Sequence, residues 1–520
     1  MSQYSTQPRN RRETLAFYAV LAVGVATAIV SARDLAGGWN DGSRLATVEA
    51  LVDYHTLAID DSVFVKIRWP AAFANERTLA YQDIPWLIDQ ARDAPFPYPL
   101  DYPKSWFGDG RHPETIGTRD KVKIGGHFYS HKPPVPALLM APWYLVVEQL
   151  GGVNARDRCD DFCYWMTLGS SGVSYVVALL CTFQLGRVLG LSLGWRLALV
   201  SSLGFSTVTV AYVRNVNDHI LLLAVAGGLA LALAHLARWA QKRPMDAIGP
   251  TRLVAVIGCL AGLAYTIDQA TGPAMLLATA ALVAYRVHWR WKTLAIFALA
   301  ALPWLAVHHA INYAIGGTLT PIGSVPEFFD WPGSSFDRRN MTGFWNHKSL
   351  GDFATYMREL TIVPPHGFLP HNLPLLVAVP GVFVLWRRRA AEWPELVWGA
   401  AWCLTSWLLY GALSSNYGGF CCSVRWFVPF LAVGYYYLAV LVRDDDRYRS
   451  GLLLFSGLGA AAAYFEWRQG PWREPDAEWF QVLELVGLAV WPLWTVWTWW
   501  KWRTRHGGAR QEGTKGTQTT

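Results

Sequence analysis

The sequence predicts an all-α fold, a polytopic transmembrane helical bundle of about twelve spans. Three observations carry that expectation. Hydrophobic residues make up 52% of the 520 and charged residues only 16%. The apolar residues gather in repeated runs of roughly 17–22, long enough to cross a bilayer. The chain also holds 28 tryptophans, and the water–lipid interface is where Trp and Tyr concentrate. Lipid offers backbone polar groups no water, so runs of this length must be helices.

The first span is expected near 15–32, behind a short segment, 1–14. Arg9, Arg11 and Arg12 precede it, so it runs from inside to outside. No small-residue cleavage pattern follows, which argues against a removed leader. A loop at 33–164 comes next, rich in Pro, Trp, Tyr and Asp and too long for a connector. It is expected to carry juxtamembrane helices. Between Asn40 and Asp53, the residues Asp41, Gly42 and Ser43 favour a helix start. Leu45, Val48, Leu51 and Val52 then share one helical stripe. Asp41 would sit at the N-terminal end, where the helix dipole favours its ionised form. A general base acting on an amphiphilic substrate would look like this, and so would an ordinary helix cap. Further on, 133–147 is apolar but short, with Pro133, Pro134, Pro136 and Pro142 close together. That argues for an interfacial or re-entrant element rather than a straight span.

The later spans read as 166–186, 195–213, 219–238, 252–267, 272–287, 293–313, 373–386, 395–413, 427–442, 451–465 and 481–500. With this count Arg187, Arg196, Arg286, Arg290 and Arg387 to Arg389 fall inside, and both termini are cytoplasmic. The net charge of +7 is therefore an orienting signal, and no nucleic-acid partner is expected. The organisation that follows is a catalytic module at 15–313 and a second outer loop at 314–371. C-terminal helices at 372–500 come next, then a tail at 501–520, expected to be disordered. Seven cysteines without regular spacing give neither a disulfide framework nor a zinc pattern. Cys181, Cys259 and Cys403 lie in apolar runs as small hydrophobes. Cys159, Cys163, Cys421 and Cys422 fall in outer loops, where a bridge is open.

Ionisable residues beside membrane spans are costly and tend to serve function. Asp41, Asp60, Asp61, Asp218, His219, Asp268, His308 and His309 all collect at the outer ends of spans. Singly each is a cap or a snorkelling side chain, the reading favoured for Asp268; together they describe a polar cavity opening outward. Lys132 follows Asp120-Lys121-Val122-Lys123-Ile124-Gly125-Gly126-His127-Phe128-Tyr129-Ser130-His131 and precedes Pro133. It would lie at headgroup level, either on a lipid-linked phosphate, which suits a point charge, or as an anchor for the Pro-rich element. His127 and His131 have metal-like spacing only on a helix, which the glycine pair and prolines oppose, so no metal is assigned there. The turn Ser415-Asn416-Tyr417-Gly418-Gly419-Phe420-Cys421-Cys422-Ser423-Val424-Arg425-Trp426 ends on an arginine that suits a phosphate or a sugar hydroxyl, or on an interfacial Arg–Trp pair.

Three landmarks resemble multispanning glycosyltransferases with the C-type fold, among them the protein O-mannosyltransferases of glycosyltransferase family 39 and the bacterial transferase that adds aminoarabinose to lipid A. Asn40-Asp41-Gly42-Ser43-Arg44 resembles their first-loop acidic motif. Tyr129-Ser130-His131-Lys132-Pro133-Pro134 is similar to their Tyr-x-Glu-Lys-Pro-Pro stretch, with His131 in place of Glu. Asn217-Asp218-His219 is similar to their second outer acidic position. The match covers residues 15–240; the rest is similar in being multispanning, with a Gly-Gly to Arg-Trp outer turn. The resemblance implies inverting transfer of a sugar from a polyprenyl-phosphate donor to a lipid, glycan or protein acceptor. The active face would be extracytoplasmic, in a bacterial inner membrane. It assigns Asp41 as the catalytic carboxylate and Asp218 as a second catalytic contact. It makes Lys132 and Arg425 donor-phosphate partners, with Arg44, Asp60, Asp61, His131 and His219 completing the substrate site. It calls for no cofactor, with room for a divalent cation. Asn40 leaves one carboxylate where the family commonly has an acidic pair, and His131 removes another acid. The alternative is a non-catalytic envelope or assembly protein of the same fold. A transporter or flippase would want mid-membrane charge and pseudo-symmetric halves, which the sequence lacks.

Overall fold

The computed structural model describes residues 11–65, 118–242, 250–332, 334–364, 366–388, 390–419, 421–472 and 478–512. The middle of the first loop and the last eight residues of the tail lie outside the described residues. The chain is a helical bundle, and among the described residues its one sheet is a two-stranded hairpin. Six helices are long and apolar enough to cross a membrane by length and composition: Arg11–Ser31, Cys159–Val188, Asp218–Gln241, Trp291–Gly316, Trp393–Leu413 and Glu478–Lys501. This is an integral, multi-pass membrane protein. The remaining expected spans also fall on helices, but shorter or less apolar ones, so the count of twelve stays an expectation.

The region before the second long helix builds the platform for the site. Helix α1 (Arg11–Ser31) leads into α2 (Trp39–Asp53), the expected juxtamembrane helix. Strands β1 (Lys121–Ile124) and β2 (His127–Ser130) pair antiparallel, Ile124 opposite His127. Gly125 and Gly126 make the turn with φ of 59° and 91°, which only glycine adopts readily and which matches the strand twist. His127 and His131 are thus not on a helix.

The Pro-rich stretch forms one helix, α3 (Pro134–Gly151), and is not among the six helices long and apolar enough to span. Pro134 and Pro136 sit in the first turn, where the backbone N–H has no helical partner to lose; only Pro142 lies deeper. Ala137, Met140, Tyr144 and Val147 of α3 pack on Leu45, Val48 and Ala50 of α2 in a core separate from that of the bundle.

Helices α4 (Cys159–Thr167) and α5 (Val173–Val188) join through a π-turn into one long segment. The expected span 195–213 breaks. Helix α6 (Leu193–Phe205) ends early, and a single turn, α7 (Thr209–Tyr212), follows it. The hydroxyls of Thr207 and Thr209 both donate to the Leu203 carbonyl, at 2.7 and 2.6 Å, taking the acceptor a continuing helix would use. Helix α8 (Asp218–Lys242) then starts behind Asn217, whose Oδ1 accepts the Ile220 N–H at 3.0 Å as a cap.

Helices α9 (Thr251–Ile267) and α11 (Trp291–Gly316) cross closely, and α10 (Thr271–Arg286) packs against α9. Gly258 and Gly262 make the approach: a Cβ there would lie 2.3 Å from the Phe297 carbonyl oxygen and 2.6 Å from that of Ala301. Small residues four apart allow this backbone contact in lipid. Helix α12 (Leu350–Ile362) lies in the second loop. A 3₁₀ segment (Pro370–Val377) leads into α13 (Ala378–Arg388), followed by α14 (Trp393–Leu413), α15 (Phe430–Asp444), α16 (Asp446–Gln469) and α17 (Glu478–Glu512). Helix α17 thus continues past residue 501, where a disordered tail was expected. All seven cysteines are free thiols, so no bridge joins the outer loops.

Candidate functional site

At one end of the bundle α8 begins, α9 ends, α10 begins and α14 ends. A cavity of about 180 Å³ opens between these ends, the hairpin and the turn before α15. Its charged wall comprises Arg44, Asp120, Lys132, Asp218, Asp268 and Arg425, with His131 and His219 among them. Five of the residues assigned from sequence therefore meet around one hollow with Asp218: Arg44, His131, Lys132, His219 and Arg425.

Each is held by its element. Arg44, one turn into α2, pairs with Asp218 Oδ2 at the first residue of α8 and donates from Nη1 to Asn40. Asp218 is buried, and its Oδ1 has no hydrogen-bond partner. His219 Nε2, also without one, lies 3.4 Å from that oxygen. Lys132 follows β2 and reaches back to Asp120 before β1, Nζ to Oδ2 at 2.7 Å. The same ammonium donates to His131 Nε2 at 2.7 Å. Ser43 fastens the hairpin to α2, its Oγ 2.5 Å from the Asp120 carbonyl and 2.6 Å from Ser130 Oγ.

Burial and neighbours set the protonation of this group. Burial pulls Lys132 down to about 8; Asp120 opposes that shift, while Arg425 and Arg44 add to it. Burial and the adjacent ammonium push His131 down to about 3, so its imidazole is neutral near pH 7 and accepts from Lys132. Burial alone would raise Asp120, yet Lys132 and His131 draw its carboxyl well below the usual range. Asp268 is raised, chiefly by burial, against hydrogen bonds from Tyr410 Oη and the Thr271 N–H. Tyr410 donates to Asp268 at 2.7 Å, and its ring stacks on Trp426 at 4.2 Å.

Arg425 stands apart. It has no carboxylate within ion-pair distance among the described residues, and its Nε lacks a hydrogen-bond partner. The guanidinium lies 5.9 Å from the ring centre of Trp472. Among the described residues, the cavity thus offers one cation outside ion-pair distance of any carboxylate, beside two that are already paired.

Three expectations are corrected by this geometry. Asp41 does not line the cavity. Its carboxylate is wholly buried and turned the other way, accepting from the N–H groups of Gly37, Gly38 and Gly42 at 2.6, 2.8 and 3.1 Å and from Trp472 Nε1 at 3.1 Å. Its burial raises the pKa to about 6 against those donors. Asn40 faces the hollow instead, because successive helix residues point about 100° apart. Asp60 is outside as well: Oδ1 accepts the Phe128 N–H at 3.1 Å and Oδ2 lies 3.2 Å from His127 Nδ1, fastening β2. Asp61 is exposed and away from the lining.

Asp120 and Tyr410 line the cavity without having been assigned to it, and Asp268, read singly as a cap, lines it too. The signal for Asp120 was a carboxylate opening the segment that ends in Lys132, a buried cation needing a counter-charge. Asn340, Met341 and Thr342, a glycosylation-type triplet in the sequence, also line the cavity. A divalent cation does not fit the hollow, since Arg44 already neutralises Asp218 and Lys132 neutralises Asp120. Among the described residues, the ligand-type side chains that do come close enough to share an ion lie elsewhere, at His371, Cys422 and Glu466.

No protein-family model matches the sequence, and no curated protein matches it. Solved structures do. ArnT from Cupriavidus metallidurans in the apo state superposes with a TM-score of 0.47 at 13% identity, covering 87% of this chain and 64% of that one. The same protein bound to undecaprenyl phosphate gives 0.45 at 13% identity, with 88% and 64% covered. The archaeal oligosaccharyltransferase AglB from Archaeoglobus fulgidus, in complex with an inhibitory peptide and a dolichol-phosphate, gives 0.43 at 10% identity, with 91% and 58% covered. This chain spans less than two thirds of the length of these neighbours.

Proposed function

We propose that the protein transfers a sugar from a polyprenyl-phosphate-linked donor to an acceptor at the extracytoplasmic face of a bacterial inner membrane. The observation that carries this reading is the cavity at the bundle end, where Arg425 has no carboxylate within ion-pair distance among the described residues and Lys132 shares the lining. A phosphate on a lipid carrier would meet both cations while its chain stays among the apolar helices. Asp218 takes the catalytic role. With Oδ2 held by Arg44, Oδ1 is left to accept the proton of an acceptor hydroxyl or amine as that atom bonds to the anomeric carbon. The bond from that carbon to the phosphate oxygen breaks, and the departing charge falls to Arg425 and Lys132. Asp41 is a helix cap in this account.

Arg425→Ala is expected to weaken binding of undecaprenyl phosphate about 10- to 100-fold, the loss of a charge-assisted contact. Binding measured by thermal shift of the detergent-solubilised protein checks this, with turnover of a sugar-phospho-polyprenol in vesicles as the second readout. Unchanged affinity in Arg425→Ala would remove the phosphate assignment. Affinity should also depend on pH. Lys132 titrates near 8, so binding is expected to fall as pH rises through that value and the cation is lost. Lys132→Arg, whose charge persists, should flatten the decline between pH 7 and 9; a wild-type profile flat over that range would count against Lys132.

A further inference from the structure

Cys422, three residues before Arg425, belongs to a second cluster that the transfer reaction does not use. His371 Nδ1 lies 2.8 Å from Glu466 Oε1 and 3.7 Å from Cys422 Sγ. One ligand atom from each residue falls within 4.8 Å of the others. On its other side, His371 Nε2 is 3.4 Å from Glu484 Oε1. All four residues are buried, and Glu466 Oε2 has no hydrogen-bond partner. A buried carboxylate oxygen left without a hydrogen bond, beside an imidazole and a thiol, is costly unless something binds it.

We propose that this cluster binds one divalent cation of the zinc type. His371 Nδ1, Cys422 Sγ and a carboxylate oxygen of Glu466 supply three ligands. Thiolate, imidazole and carboxylate together suit zinc, and the thiolate disfavours magnesium and calcium. Glu484 takes the outer position, accepting from His371 Nε2–H, which fixes the tautomer that leaves Nδ1 free for the metal.

The ligands come from the 3₁₀ segment, the turn before α15 and the end of α16, with Glu484 at the start of α17. An ion there ties four pieces of chain together next to the cavity. Cys422 is already fastened on both backbone sides: its N–H donates to the Pro471 carbonyl at 2.9 Å, and its carbonyl accepts from Tyr212 Oη at 2.9 Å. Holding its side chain too would set the turn that presents Arg425. The site is a brace for the anion-binding wall and stands whether or not that wall serves sugar transfer.

The test uses the full chain in detergent, stripped with a chelator and titrated with cobalt(II) as the probe. Stoichiometric uptake is expected, with a thiolate-to-cobalt charge-transfer band that zinc then displaces. Cys421→Ser should keep the band and Cys422→Ser should lose it. Absence of the band in the wild-type protein overturns the proposal, as does a band that survives Cys422→Ser. If Cys422→Ser does not fold, the wild-type titration and the Cys421→Ser variant decide: a band in both supports the site, and its absence from either overturns it. Failure of sugar transfer with the cobalt band intact would reject the enzymatic reading alone.

Discussion

Replacing Asp218 with Asn is expected to lower sugar transfer about 100- to 10,000-fold, the range a positioned general base contributes. The amide preserves the shape of the side chain and can still accept from Arg44, but it cannot take the proton of the incoming nucleophile. It also leaves the Arg44 guanidinium buried without its counter-charge. Losing one partner of a buried pair costs about 3–5 kcal/mol, so turnover must be counted per folded molecule. The double variant Arg44→Met/Asp218→Asn separates the two effects. Removing both charges should restore much of the stability while transfer stays lost. Near-normal turnover in Asp218→Asn would move the base to another carboxylate of the lining. Asp268 would be next, with its raised pKa and its Tyr410 partner.

Asp41→Ala is expected to do the reverse, lowering stability by about 3–5 kcal/mol and leaving turnover per folded molecule largely unchanged. The carboxylate accepts from three backbone N–H groups and the Trp472 indole. Each buried donor left without an acceptor costs about 1–3 kcal/mol, and not all of them can relax toward water. Denaturant unfolding in detergent measures the loss, and a transfer assay on the folded fraction checks the second half. Trp472→Phe, which removes one of the four donors, should cost less, near 1 kcal/mol. If Asp41→Ala were stable and inactive, the roles assigned here to Asp41 and Asp218 would be exchanged.

These two variants pull apart residues that the sequence could not distinguish. Asp41 and Asp218 both open helices at the same end of the bundle, and both are acids next to an asparagine. What separates them is rotation. Asn40 and Asp41 are consecutive on one turn, so only one of them can face the hollow. The side chain that turns away finds Gly37, Gly38 and Trp472, the last more than 400 residues on. Nothing in the local spacing around Asp41 announces that partner. Lys132 and Arg44 were legible as cations of a substrate site, but their pairing with Asp120 and Asp218 depends on the hairpin register and on the docking of α2 against the start of α8. The Pro-rich segment is continuous as a helix because prolines count against a helix only in its interior, and most of these lie at its start.

By itself the sequence determined that this chain is a multi-helix membrane protein and that its ionisable residues gather at one end of the helices. Those properties follow from the length of apolar runs and from the cost of charge in lipid, both readable along a single chain. Only the tertiary structure decided which of those residues share a cavity, which carboxylate caps a helix, and that His371, Cys422 and Glu466 form a cluster at all. Hydrogen bonds and ion pairs between residues tens to hundreds of positions apart are set by how helices rotate and dock, and a linear pattern does not encode that rotation.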